Sequence, residues 1–136
     1  MTKAGEREIV KAEHANGGAG YILKEALLTG GDLGEHCRMF SKVTIPPQCE
    51  LGYHEHHGES ETYYLLTGKG MYSDNGKEVP AEAGDVFFCD DGNGHGLKNT
   101  GGRRSDLCSF DSKKSNCRNC IRGRTLFYKS VRPHSH

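Results

Sequence analysis

Apolar and polar residues alternate along this chain in short runs. From Arg38 to Ile45, the residues Met39, Ser41, Val43 and Ile45 alternate with Arg38, Phe40, Lys42 and Thr44. A period of two predicts a half-buried β-strand, and Pro46-Pro47 ends it because proline donates nothing to a strand ladder. The same reading predicts strands from Tyr21 towards Leu28, Leu51 to His56, Thr62 to Leu66, Met71 to Ser73, Val86 to Phe88 and Gly94 to Asn99. Gly17-Gly18-Ala19-Gly20, Thr29-Gly30-Gly31-Asp32 and Gly68-Lys69-Gly70 separate them, and Asn75-Gly76 is the strongest hairpin signal. Met1 to Asn16 is charged and reads as a short helical or irregular arm. Short strands set apart by such turns predict an all-β fold, either a closed barrel or a double-sheet jelly roll.

Length and charge narrow the picture. A chain of 136 residues buries one modest core and predicts a single domain. Lys plus Arg equal Asp plus Glu at 18 each, so the summed charge exerts no long-range pull on nucleic acid or an anionic membrane. No apolar run reaches membrane-spanning length, and Lys3, Glu6, Arg7 and Glu8 leave no signal-peptide segment. The expectation is a cytoplasmic protein without nucleic-acid or membrane partners. Cys37, Cys49, Cys89, Cys108, Cys117 and Cys120 then read as reduced thiols. Cys117-Arg118-Asn119-Cys120, with His134 and His136 downstream, reads as a polar loop ahead of a zinc or redox motif.

The chemistry concentrates between Leu51 and Asn99. His54 and His56 stand two apart, so on a strand both imidazoles leave one face. Glu61 follows a short break, and His95 arrives about forty residues later. Three imidazoles and a carboxylate suit a divalent transition metal, whereas a lone His-x-His is more often a solvated surface pair. The flanking residues decide. His54, His56, Glu61 and Gly68, then Gly84, Gly92, His95 and Asn99, stand at the spacings of the two signature motifs of the cupin superfamily, which this chain resembles. Two positions depart from the pattern: Gln48 stands where the first motif opens with glycine, and Asp90 where the second carries proline.

The resemblance implies a single cupin double-stranded β-helix, a jelly-roll barrel over 21–101, preceded by an arm over 1–20 and followed by an atypical basic, Cys-containing tail over 102–136. It implies one divalent ion, Mn, Fe, Co, Ni or Zn, held by His54, His56, Glu61 and His95 with coordination positions left open for a ligand. The first functional expectation is a metal-dependent enzyme on a small polar or carboxylated molecule, a mononuclear oxidoreductase or lyase of dioxygenase or decarboxylase type. The alternative is a non-catalytic binding or sensing domain, and a third is a barrel with a structural metal. Glu61, Tyr63 and Leu65 share a face, so Tyr63 is the aromatic expected to approach the metal and act on the substrate. A homodimer formed through outer strands is expected. His57 is read as facing away, Glu55 and Glu59 as solvated, Asp90 and Asp91 as turn residues, and Asn99 as closing backbone hydrogen bonds at a strand end.

The tail departs from expectation. After Gly101 an apolar final strand is awaited, but Gly102-Arg103-Arg104-Ser105-Asp106 and a basic remainder follow. Back-translated with CGN arginine codons, AGY for Ser105 and TCN for Ser109, and shifted by one base, 102–110 admits Ala-Asp-Glu-Val-Ile-Phe-Val-His. A frameshift after about Gly101 would explain the missing strand; a loose solvated coil is the ordinary alternative. Thr125-Leu126-Phe127-Tyr128 is the only late run apolar enough to substitute.

Overall fold

The computed structural model describes residues 1–113. Among them, ten strands pair throughout in antiparallel fashion: β1 (Ile9–Glu13), β2 (Tyr21–Leu28), β3 (Cys37–Ile45), β4 (Glu50–Glu55), β5 (Glu59–Thr67), β6 (Lys69–Asp74), β7 (Lys77–Glu82), β8 (Val86–Cys89), β9 (Gly94–Asn99) and β10 (Ser105–Lys113). They form a six-stranded sheet in the order β1-β2-β3-β10-β5-β8 and a four-stranded sheet in the order β4-β9-β6-β7. This is the jelly roll that the alternation and turns predict. No helix among the described residues is long and apolar enough to cross a membrane.

The period of two places the core. In β3, Ser41, Val43 and Ile45 are buried while Phe40, Lys42 and Thr44 are half-exposed. Ile22, Val43, Ile45, Leu65 and Leu107 from one sheet meet Leu51, Tyr72 and Leu97 from the other. Each such buried aliphatic side chain stabilises the fold by roughly 1.5–3 kcal/mol. Strand register sorts the interior along the barrel. Ile45 lies opposite Ser105 at one end of β3, while Met39 lies opposite Asp111, itself opposite Glu61, towards the other. Apolar side chains fill the first end and polar ones gather at the second.

Turn chemistry matches the backbone where it is demanding. Asp74 pairs with Lys77, leaving the two-residue loop Asn75-Gly76 with φ of 52° and 89°. Two positive φ values are what a tight hairpin between twisted strands requires. At the β3–β4 corner Gln48 sits at φ 66°. That left-handed conformation is the physical reason for a glycine in the motif it departs from.

Two segments differ from the sequence reading. The charged arm contains β1, paired with β2 from Ile9 opposite Glu25 to Glu13 opposite Tyr21. The strand expected to be missing after Gly101 is present as β10, inserted between β3 and β5. Its polarity hid it: Ser105, Leu107, Ser109 and Asp111 are buried, whereas Phe110 is exposed. Thr125–Tyr128, Cys117, Cys120, His134 and His136 lie outside the described residues.

Candidate metal centre

Elements from both sheets supply the polar end of the barrel. The pairing of β4 with β9 shifts between Leu51 and His54, and beyond the shift His54 stands opposite His95. His56 follows the last residue of β4, its N–H donating to Asn93 O at 3.0 Å and its carbonyl accepting from Gly92 N at 2.7 Å. Glu61 comes from β5 in the facing sheet. The structure thus brings together the four side chains singled out as metal ligands.

Their atoms converge on one point. Glu61 Oε1 lies 3.3 Å from His54 Nε2, 3.0 Å from His56 Nε2 and 2.8 Å from His95 Nε2. His56 Nε2 and His95 Nε2 are 3.0 Å apart. Every Nδ1 has a partner outside the cluster: Gly52 O at 2.8 Å for His54, Glu59 Oε1 at 3.1 Å for His56 and Tyr72 Oη at 2.9 Å for His95. With Nδ1–H donating outward, each ring turns an Nε2 lone pair inward. Three lone pairs and a carboxylate oxygen at such spacing repel one another unless something positive joins them. A single proton satisfies one contact, while a divalent cation satisfies all four. The donor set therefore fits one metal ion, although it does not select which.

Glu61 is held from behind. Its Oε2 accepts from Ser109 Oγ at 2.8 Å, and Asp111 stands opposite it on β10. Burial disfavours the charge of Glu61, but the polar contacts with His54, His95, Asp111 and Ser109 outweigh it and hold the carboxyl far below the usual range. Burial and the neighbouring Glu61 push Asp111 up to about 9. Burial lowers His95 more than Glu61 raises it, whereas hydrogen bonds to Glu61 and Gly52 overcome the burial of His54 and raise it.

His54, His56 and Glu61 of the cluster line a cavity of about 420 Å³, with His95 buried behind them. Ile22, Met39, Val43 and Leu51 give the cavity an apolar side, and Asn16, Lys24, Arg38, Glu59 and Asp111 a polar one. Tyr63 also lines it, buried and stacked on His95 with ring centroids 4.5 Å apart and planes at 15°. Burial and the Glu61 charge keep its phenol protonated.

His57 faces away, paired with Glu55 at 3.3 Å on the surface. Asp91 Oδ1 accepts from Gly58 N at 2.6 Å, and Asn99 closes backbone bonds to Ile45 O, Arg103 O and Gly101 N. Glu59 corrects the sequence reading. It is half-buried, holding His56 with one oxygen and Arg38 with the other. Tyr72, Ser109, Asp111 and Asn16 were not singled out from sequence. The one available signal was the alternation of Leu107, Ser109 and Asp111, which puts all three on a single strand face.

The chain is similar in sequence and fold to known proteins. A family profile described as Cupin domain matches residues 41–108. An oxalate-binding protein of Thermotoga maritima is 41% identical over 91 residues, covering 67% of this chain and 75% of its own. The crystal structure of a predicted oxalate decarboxylase from Thermotoga maritima superposes with a TM-score of 0.80 at 33% identity, covering 84% of this chain and 99% of that one. An RmlC-like cupin from Shewanella frigidimarina shares the fold, with a TM-score of 0.65, 19% identity and coverage of 85% and 92%.

Proposed function

The chain belongs to the cupin family, and from that membership we propose that it binds one divalent transition metal and, with it, a small carboxylate of the oxalate type. The observation that carries the proposal is the meeting of three Nε2 atoms and Glu61 Oε1 beside an open cavity that His54, His56 and Glu61 line. His54, His56, Glu61 and His95 would hold Mn, Fe, Co, Ni or Zn, which would supply Lewis acidity towards a carboxylate. Lys24 and Arg38 on the cavity wall favour entry of an anion. Tyr63, protonated and facing the cavity, would offer the ligand a hydrogen bond.

A second reading, a lyase of decarboxylase type, is favoured by Asp111. Loss of carbon dioxide from a carboxylate breaks a C–C bond and leaves an electron pair on carbon that must take up a proton. Asp111 is a buried carboxyl on the cavity wall, a group of the kind that delivers such a proton. Dioxygenase-type turnover would use the same donor set with Fe and consume oxygen. The proposal also includes a cytoplasmic homodimer. Free thiols at Cys37, Cys49, Cys89 and Cys108 suit a reducing compartment. Tyr64, Leu66, Val86, Phe88 and Phe110 make the outer face of the six-stranded sheet apolar enough to pair.

The deciding experiment is elemental analysis of protein purified without added metal or chelator, followed by calorimetric titration of the metal-loaded protein with oxalate and assay for carbon dioxide. Near-stoichiometric metal with saturable oxalate uptake supports the binding reading, and product formation adds the lyase. Protein that takes up none of these metals on reconstitution refutes both.

A further inference from the structure

The turn Ala15–Gly17 between β1 and β2 carries Asn16 to the cavity wall. The turn is fastened to β4. Glu50 N donates to Ala19 O at 3.0 Å, and Ala19 N donates back to Glu50 Oε1 at 2.9 Å. Gly18 and Gly52 permit the close approach: a Cβ on Gly18 would stand 2.6 Å from Glu50 O, and one on Gly52 would stand 2.3 Å from Asn16 O. Asn16 itself adopts φ 52° and ψ 34°, a conformation that asparagine tolerates better than most residues. Its side chain is thus presented from a backbone with little freedom to move.

The amide of Asn16 meets His54. Its Nδ2 stands 3.3 Å from His54 Nδ1, the atom that also lies 2.8 Å from Gly52 O. A histidine offering Nε2 to a metal keeps its one hydrogen on Nδ1, and Gly52 O accepts it. An amide N–H directed at that atom finds no lone pair. Turned over, the amide oxygen shares Nδ1–H with Gly52 O, and the –NH₂ is released from His54 on a residue that lines the cavity.

We propose that Asn16 is a specificity-determining residue whose –NH₂ donates to a carboxylate of the bound ligand, selecting small anions with a carboxylate free to reach the β1–β2 turn. This role rests on the carboxylate-binding function proposed above. Lys24 on the same wall supplies positive charge, and with the oxalate-type ligand proposed above the class is a dicarboxylate, one carboxylate for the metal and one for Asn16.

The test uses full-chain protein loaded with Co(II), with oxalate as the probe in calorimetric titration and metal content measured in parallel. Asn16→Ala should retain its metal and lose about tenfold in oxalate affinity, the scale of one hydrogen bond to a charged group. Asn16→Asp, which replaces the donor with a like charge, should lose more. Oxalate affinity within twofold of the parent in both variants overturns the role of Asn16 alone. Metal lost from both variants overturns it as well, because Asn16 would then act through His54. A metal-loaded parent that takes up no oxalate overturns the carboxylate-binding function, and this role with it.

Discussion

Ser109 Oγ donates to Glu61 Oε2 at 2.8 Å, and this bond sets which carboxylate oxygen faces the imidazoles. Oε1 is left to His54, His56 and His95. Partners of this kind orient a ligand without touching the metal, and their loss commonly weakens binding by about 10–100-fold. Ser109→Ala should therefore weaken metal affinity about tenfold while leaving the fold intact. Competition against a chelator of known affinity measures this; unchanged affinity would mean that Asp111 alone suffices to hold Glu61.

Replacing a converging imidazole has a larger effect. His56→Ala or His95→Ala should reduce metal content strongly, whereas His57→Ala, on the exposed surface and paired with Glu55, should change it little. Chelation should lower the thermal midpoint of the parent, because an ion bound only by the folded state stabilises it by mass action. A His57→Ala variant that arrives empty would contradict the facing of these side chains.

The carboxyl pair at β5 and β10 gives the chelated protein an uncommon pH dependence. Asp111 has an ordinary value of 3.8, and burial beside Glu61 pushes it up to about 9. Between those values the folded chain holds a proton that the unfolded chain has released, so stability falls as pH rises through this window. Glu61 has the opposite sign: held low, it contributes stability that is lost as pH falls below the ordinary carboxylate range. Urea midpoints should drop between about pH 5.5 and pH 8.5, and Asp111→Asn should flatten the drop. An equal slope in the variant would assign the effect to other groups.

Gln48 stands at φ 66° on the corner between β3 and β4, its N–H donating to Asn99 O at 3.2 Å. Gln48→Gly keeps that bond and removes the left-handed strain. Relief of about 1–2 kcal/mol is partly offset by the extra freedom of glycine when unfolded, so the expected gain is about 0.5–1 kcal/mol. Chemical denaturation of both proteins measures it, and a loss of stability would show that the Gln48 side chain contributes packing.

Inverted polarity in β10 bears on the reading of the tail. Ser105, Ser109 and Asp111 point inward, Phe110 points outward, and the buried Ser41 Oγ and Asp111 Oδ1 lack hydrogen-bond partners among the described residues. A shift of reading frame after about Gly101 would leave such a strand. Sequencing the gene should reveal a single-base change that restores apolar inward positions; if none does, the frameshift idea fails.

The same strand shows what could be read in advance. β3 was legible because its apolar positions alternate, and β2, β4, β5, β6, β8 and β9 because short runs stand between clear turns. His54, His56, Glu61 and His95 were legible because local spacing carries them. β1 and β10 were not: one is charged at an edge, and the other carries polar residues on its buried face. Tyr72, Ser109 and Asn16 reach the centre through strand register and a turn crossing, relations between distant segments that spacing along the chain does not encode.

The place of β10 also constrains the order of assembly. β3 and β5 do not pair directly; β10, made after both, lies between them. A chain emerging from the ribosome must keep these two strands apart, with backbone groups unpaired, until Ser105–Lys113 has cleared the exit tunnel. Glu61 gains its support from Ser109 at that same late moment. Ion capture at full strength is therefore coupled to the emergence of β10, and nascent chains halted before it should hold metal weakly and expose sheet edges that invite aggregation.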